Sequence, residues 1–429
     1  MTKKQIVQLL KLFPFEVHAV GGAVRDIILG REPNDIDLAT PLTPTQIGVV
    51  LKNHKTIKVV NVEERYGLSR IRIDHVDYEL MTYRSDYNTD GRHAEVEYVS
   101  SIQEDLKRRD ITINAVALSS MGKFIDPQGG IADIKDKIIM AVGDRLERLR
   151  EDLLRVLRVF RFAARYDFKI EAGLAQAILE VRDEFMEQLS TPTEGMSWER
   201  VLVEFDKAFQ DEKPSRFLSL LKQYGYLDLL IPEFKNAENF NQPPKWHPEG
   251  HVWTHTLHVV DAADPDVRWE AFLHDIGKVH TAVPKEEYFT FHGHEKASAS
   301  LALTIGKRFK MSNERVKALS NIAGLHMRPH QVTSDKAVRR FQFDAGEDLD
   351  KIHRLHQADV VDKPSGYYPD AFRELPTPVK RIVEGRDFIA KGFEPGPKIG
   401  KLVKLAHYLQ LEHGLSDKFE IVELTIKTG

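Results

Sequence analysis

The hydrophobic pattern of this chain changes kind once, near Val142, and that change limits the folds open to it. Before it, strand-like and helix-like segments alternate: residues 15–20 read as a strand, 23–29 as a helix and 36–38 as a short strand. Ile71 and Ile73 alternate with polar residues, Asp74 and His75 supply a turn, and Val76, Tyr78 and Leu80 alternate on the return. Residues 67–84 therefore predict a β-hairpin. Residues 86–92, ending in Asp90-Gly91-Arg92, predict a polar loop. After Val142 the pattern is helical, with breaks at 191–193, 241–248 and 363–368. The expectation is an α/β opening and a mostly helical remainder.

A length of 429 residues leaves room for about three domains, so a single small binding module is excluded. The chain has no cysteine, which rules out disulfides and thiolate metal sites and leaves His, Asp and Glu as metal ligands. That composition suits a reducing cytoplasm. Lys3 and Lys4 precede apolar residues interrupted by Gln5, Gln8 and Lys11, which predicts an amphipathic helix in place of a signal peptide, and no stretch is apolar enough to predict a membrane span. A net charge of −4 argues against coating nucleic acid through bulk charge. One segment breaks the balance: residues 145–165 hold seven Arg against Glu147, Glu151 and Asp152.

Gly21-Gly22-Ala23-Val24-Arg25-Asp26 follows a strand and opens a helix, a place where backbone N–H groups favour an anion and Arg25 can reach the same phosphates. Alone, such a pair is ordinary turn geometry. Asp35-Ile36-Asp37 stands nine residues further on. Alternate strand residues face the same way, so two carboxylates on one side suit a pair of Mg²⁺ ions, with Glu79 on the hairpin as a third carboxylate.

With these motifs the chain resembles the nucleotidyltransferase superfamily, and within it the bacterial tRNA CCA-adding enzymes and poly(A) polymerases. The resemblance runs through the glycine turn, Asp35-x-Asp37, Glu79 to Arg84, Asp90-Gly91-Arg92, the Glu104-Asp105 to Asn114-Ala115 stretch and the Glu151-Asp152 to Arg165 stretch. It implies a polymerase beta-like α/β head over residues 1–142, a helical neck over 143–240, an HD domain over 241–365 and a helical, tRNA-binding tail over 366–429. It also implies that an RNA 3′-hydroxyl attacks the α-phosphate of CTP or ATP, with Asp35 and Asp37 as metal ligands and Gly22, Arg25 and Arg109 contacting the nucleotide.

Asp152, Arg155, Arg158 and Arg161 recur every three residues, an oblique stripe on one helix, with Leu153, Val156, Leu157 and Phe160 on the opposite face. A solvated Arg face is the plain reading; the resemblance makes the stripe a base-selecting one. Cytosine and adenine both present an amine donor beside a ring-nitrogen acceptor, which a carboxylate from Asp152 and a guanidinium from Arg155 accept, while uracil and guanine are repelled. Arg158 and Arg161 are then expected to stack or to contact phosphate.

His255, His274-Asp275 and Asp359 have the ligand order of HD-type phosphohydrolases, suited to Mg²⁺, Mn²⁺ or Ni²⁺, with His292 and His294 near enough in sequence to support the metal or bind a phosphate. Relatives with this domain resemble enzymes acting on 2′,3′-cyclic phosphates, 2′-nucleotides or phosphomonoesters. The segment 392–401 either holds an RNA phosphate at a helix start or is an ordinary Pro-Gly turn. The expected function is CCA addition to tRNA; the alternatives are a poly(A) polymerase, an A-adding or CC-adding specialist, and an HD phosphohydrolase whose head only binds RNA.

Overall fold

The computed structural model describes residues 1–33, 35–87, 95–191, 196–332, 334–361 and 379–429, so the Asp90-Gly91-Arg92 loop and the expected break at 363–368 lie outside the described residues. Contacts group the chain into two compact units, Met1–Ala208 with Arg216–Tyr226, and Phe209–Ser215 with Leu227–Gly429.

The first unit opens with the Lys3–Leu10 helix, whose Thr2 and Gln5 form a capping box. Its strands are β1 (His18–Val20), β2 (Asp37–Thr40), β3 (Ile57–Glu63), β4 (Leu68–Ile73), β5 (Val76–Thr82), β6 (Arg84–Tyr87), β7 (Glu95–Tyr98), β8 (Ala117–Ser119) and β9 (Phe124–Ile125). Seven form one sheet in the order β3-β4-β5-β2-β1-β8-β9, and β6 pairs separately with β7. Only β2 and β5 run parallel within the large sheet. The expected hairpin is β4–β5, turned by Asp74 at φ 47° and His75 at φ 68°, two consecutive left-handed residues of the kind that match strand twist. Alternation sends Leu38, Leu80 and Ile71 into one apolar cluster and Val20, Ala39 and Ala117 into another. The sheet is thus buried from both sides, and Asp37 sits at the strand edge where that burial gives way to solvent.

Beyond the sheet, helices dominate as the pattern required, apart from two small strand pairs, Ile138–Ile139 with Lys169–Ile170 and Val283–Pro284 with Phe289–Thr290. Two-residue strands are too short to leave a periodic signal. The helix carrying the arginines begins at Arg155, one residue after its cap Leu154, and Asp152 lies in the turn before it. The expected single stripe is therefore corrected: Asp152 turns its carboxylate back to accept from Leu154 N at 3.1 Å, closing the preceding turn. Leu153, Val156, Leu157 and Phe160 are all buried as expected.

The second unit includes helices Val252–Ala262, Arg268–Leu273, His294–Arg308, Asn313–Leu325 and Leu349–Asp359, and a histidine-rich cavity there is lined by His247, His292, His294, His326, His330 and Asp359. The last part forms helices Gly385–Ile389, Pro397–His413 and Lys418–Thr428 around Phe388, Leu402, Ala406 and Ile421. The Pro-Gly segment opens a 17-residue helix with Pro397 as its first residue. Among the described residues no helix is long and apolar enough to cross a membrane.

Candidate active sites

In the first unit, β1 ends at Val20 and the chain turns through Gly21, at φ 69° and ψ −131°, into the Gly22–Ile28 helix. A Cβ on Gly21 would stand 3.0 Å from Arg109 Nη1 and 3.6 Å from Asp37 Oδ2. The turn, the carboxylate and the guanidinium therefore meet at one point, although they are 88 positions apart at the extremes, from 21 to 109. Asp37 opens β2 directly opposite Glu79 of β5, and Glu79 is opposite Arg70 of β4, whose Nη2 is 3.4 Å from its Oε1. Residues opposite one another share a face, so Asp37 and Glu79 lie side by side. Loss of water around the Asp37 carboxyl pushes it above the ordinary range; Arg109 opposes this, and the charges of Glu79 and Asp35 add to it. Asp35 is exposed just ahead of the strand. Carboxylate oxygens gathered in this way are a donor set that fits a hard, oxygen-seeking cation.

Arg109 is braced by its Nη2 donating to Asp105 Oδ2 at 3.2 Å and its Nη1 donating to the Asn114 carbonyl at 3.3 Å. Asp105 is buried, and it also accepts from Arg108 Nε at 3.0 Å and Arg84 N at 3.3 Å. Burial alone would raise its carboxyl, but Arg108 and Arg109 outweigh that and hold it below the usual range. Arg25 is placed differently from expectation: it is 4% exposed, donates to Asn114 Oδ1 and, at 3.1 and 3.2 Å, to Asp26 Oδ1, and lies 5.1 and 4.8 Å from the Phe162 and Tyr166 ring centres. Its charge is spent inside the protein, joining the glycine turn to the Arg155–Tyr166 helix. Tyr166 adds a second tie by donating to Asp26 Oδ1 at 3.0 Å.

That helix is anchored again through Arg158, whose Nε and Nη2 lie 2.7 and 2.6 Å from Asp110 Oδ2. Asp110 Oδ1 accepts from Ile111 N at 2.9 Å and Asn114 Nδ2 at 3.3 Å, completing a path Arg25–Asn114–Asp110–Arg158. Arg161, expected to stack or meet phosphate, is 5% exposed and pairs through Nε with the buried Glu204 at 2.7 Å. The local arginine excess is thus largely matched by partners distant in sequence, which composition within one segment cannot reveal: Arg145 with Glu171, Arg150 with Glu184, Arg158 with Asp110 and Arg161 with Glu204.

Asp152 and Arg155 stand one turn apart, with Arg155 N donating to Asp152 O at 2.9 Å. Asp152 is clasped by Arg200, Nη2 to Oδ2 at 2.7 Å and Nη1 to Oδ1 at 3.3 Å. Arg155 Nη1 donates to Glu151 and, at 2.7 Å, to the Arg148 carbonyl. The Asp152 carboxylate and the Arg155 guanidinium are thereby each held by neighbouring protein groups.

In the second unit the four expected ligands converge. His255 Nε2 is 3.0 Å from Asp359 Oδ1 and 3.4 Å from Asp275 Oδ2; His274 Nε2 is 3.2 Å from Asp275 Oδ2 and 3.9 Å from Asp359 Oδ1. His255 Nδ1 is 2.8 Å from the Glu249 Oε1, and His274 Nδ1 donates to the Ala271 carbonyl at 2.7 Å, so each ring is oriented with Nε2 inward. Burial opposes a charge on His255, yet Asp275, Asp359 and Glu249 prevail and push it up to about 10. A site whose carboxylates pull this strongly on a positive charge, with His255 Nε2 and His274 Nε2 buried and lacking a hydrogen bond, fits a divalent cation. Gly277 makes the close packing there feasible: a Cβ would fall 2.3 Å from the His294 carbonyl and 2.5 Å from Ser298 N. The adjoining cavity, of about 270 Å³, is lined by Trp246, Phe289, Phe291, Lys278 and His292. Asp105, Asn114, Glu249 and His326 were not foreseen as site residues. Asp105 and Asn114 stand within the quoted stretch, while Glu249 and His326 carry no sequence signal.

A model described as the poly A polymerase head domain matches residues 17–140, one for the probable RNA and SrmB-binding site of polymerase A matches 167–238, and the HD domain model matches 252–363. A multifunctional CCA protein of Pseudomonas fluorescens is 31% identical over 419 residues, covering 91% of this chain and 96% of the relative. The chain belongs to the CCA-adding enzyme family. A CCA-adding enzyme of a Geobacillus species is 36% identical over 236 residues, 54% of this chain and 55% of that relative, so the match spans about half the length of each. The crystal structure of the Bacillus stearothermophilus CCA-adding enzyme in complex with CTP superposes with a TM-score of 0.66 at 24% identity, covering 99% of this chain and 96% of that one. This member of the family is a nucleotidyltransferase with a polymerase beta-like head and an HD domain, two domain types that generally use divalent metals.

Proposed function

We propose that the chain transfers CMP and then AMP from CTP and ATP to the tRNA 3′ end without a template. The observation that carries this is the meeting of Gly21, Asp37 and Arg109 beside Glu79. Asp35 and Asp37 would hold Mg²⁺, with Glu79 as the adjoining carboxylate, and the ion would supply charge neutralisation at the triphosphate and a lowered pKa at the attacking 3′-hydroxyl. Arg109, braced by Asp105, faces the triphosphate, and Gly21 and Gly22 let it approach the backbone. Arg25 supports the turn from behind, while Asp152 and Arg155 select C and A. Arg158 and Arg161 hold the helix that presents them.

Extension of tRNA transcripts lacking CCA, ending in C or ending in CC, resolved to single nucleotides with CTP and ATP, tests the reading. Addition that needs CTP first and halts at CCA is expected, and it disappears in Asp37→Ala. Unlimited A-runs would mean a poly(A) polymerase, and addition of C alone or A alone a specialist.

The convergence of His255, His274, Asp275 and Asp359 favours a second activity in the HD domain, hydrolysis of phosphomonoesters or 2′,3′-cyclic phosphates with Ni²⁺, Mn²⁺ or Mg²⁺. His274→Ala removes that hydrolysis if the reading holds. Should His274→Ala leave it untouched, the HD cluster is not its source.

A further inference from the structure

Asp152 and Arg155 carry opposite charges about one helical turn apart, a spacing at which two side chains ordinarily pair with each other. Among the described residues they do not: Asp152 pairs with Arg200, and Arg155 with Glu151. Arg200 comes from the Trp198–Ala208 helix, which packs on the Arg155–Tyr166 helix and also supplies Glu204, the partner of Arg161 at 2.7 Å. The acceptor positions of Asp152 can be counted. A carboxylate has about four, two on each oxygen. Oδ1 accepts from Leu154 N at 3.1 Å and from Arg200 Nη1 at 3.3 Å, and Oδ2 accepts from Arg200 Nη2 at 2.7 Å. The position left over is on Oδ2. Two N–H bonds from one planar guanidinium also fix the plane of the carboxylate, because both cannot survive its rotation. An amine N–H brought to Oδ2 finds its acceptor there, whereas a carbonyl oxygen meets a carboxylate oxygen with no proton between them.

We infer that Arg200 is a positioning residue for base selection: its clasp keeps Asp152 from pairing with Arg155 and leaves the carboxylate a single acceptor for the exocyclic amine of cytosine or adenine. The inference rests on the reading of Asp152 and Arg155 as the base-selecting pair. Without the clasp, Asp152 turns toward the Arg155 guanidinium, and an incoming base has to break that ion pair before either group can meet its edge. Arg200 acts through Asp152, so it governs which nucleotide is taken and how tightly, and leaves the transfer step at Asp37 as it was.

The test measures kcat and KM on the full chain for CTP and UTP with a tRNA transcript lacking CCA, and for ATP and GTP with one ending in CC. The parent is compared with Arg200→Met, Arg200→Lys and Asp152→Asn. Arg200→Met keeps the reach of the side chain and removes its fork. It is expected to raise KM for CTP and ATP and to lower the preference for CTP over UTP, as the ratio of kcat/KM, by about tenfold or more. The kcat at saturating CTP stays within about twofold of the parent, as it does when binding and not the chemical step is affected. Arg200→Lys, which keeps the charge without the fork, recovers part of the preference. An equal fall in kcat for all four nucleotides with the preference intact would reduce Arg200 to a structural role and overturn the inference. A preference unchanged in Arg200→Met but lost in Asp152→Asn overturns the inference alone, and one unchanged in Asp152→Asn as well overturns the base-selecting reading beneath it. If Arg200→Met fails to fold, judged by circular dichroism, Arg200→Lys decides: a weakened preference at parent kcat supports the inference, and the parent's preference overturns it.

Discussion

Gly21 is the residue on which the head geometry turns. Its φ of 69° with ψ of −131° is open to glycine and strained for any other residue, by about 1–3 kcal/mol. The added carbon of Gly21→Ala would also press on Arg109 Nη1 at 3.0 Å. Nucleotide addition is therefore expected to fall by at least about tenfold, since ~1.4 kcal/mol of lost transition-state stabilisation is tenfold in rate. The affinity of the second unit for Mn²⁺ stays as it was. Steady-state extension assays and a metal titration on the same preparation read both, and unchanged addition would remove Gly21 from the site. Asp105 shows the other kind of residue contribution. It touches no proposed reactant, yet it sets where Arg109 lies through a buried, charge-assisted bond.

At the scale of elements, the Arg155–Tyr166 helix is tied to the sheet-bearing part by the Asp110–Arg158 pair. Burial would raise the Asp110 carboxyl, but Arg158, with bonds from Ile111 N and Asn114, carries it well below the ordinary range. A carboxyl depressed in the folded state stabilises it above the unfolded pKa, near 3.9, and that contribution is lost as pH falls through the folded value. Asp110→Asn is thus expected to cost about 3 kcal/mol at pH 7, the low end for breaking a buried pair because Arg158 is partly exposed. Thermal melts from pH 7 down to pH 3 should show the gap between parent and variant constant to about pH 4 and narrowing below it. A gap independent of pH would mean that packing, and not charge, carries the effect. In the HD domain, Gly277 sets the approach of the His274 turn to the His294–Arg308 helix, with its N–H donating to Ser298 Oγ at 2.9 Å. Gly277→Ala forces backbone apart, costs roughly 1–3 kcal/mol as overpacking does, and weakens metal binding in the second unit. Calorimetry with and without Mn²⁺ measures both.

For the whole molecule, the two clusters belong to different compact units, residues 21–109 with 152–155 in one and 255–359 in the other. Each has its own donor chemistry, carboxylate oxygens in the head and imidazole with carboxylate in the HD domain, so the two sites are expected to fail separately. Asp37→Ala abolishes nucleotide addition and leaves hydrolysis by the HD domain at its parent rate; His274→Ala does the reverse. Parallel assays of both variants check this, and a single substitution that removed both activities would show the sites to be coupled.

Much of this was legible in the sequence because it is local. The switch of pattern near Val142, the β4–β5 hairpin with its Asp74-His75 turn, the buried face of Leu153, Val156, Leu157 and Phe160, and the Asp-x-Asp spacing all follow from periods of about two or 3.6 residues and from turn chemistry. The order His255, His274-Asp275, Asp359 was likewise open to motif reading. Tertiary structure alone decided which charges meet. Arg25 and Arg161 carry the same side chain as Arg109, yet packing against Phe162, Tyr166 and Glu204 turns them inward while Asp105 holds Arg109 beside Gly21. His326 became a partner of Asp275 only when the end of the Asn313–Leu325 helix came beside the His274-Asp275 turn, because a contact between distant residues depends on how the chain closes and leaves no periodic trace along it.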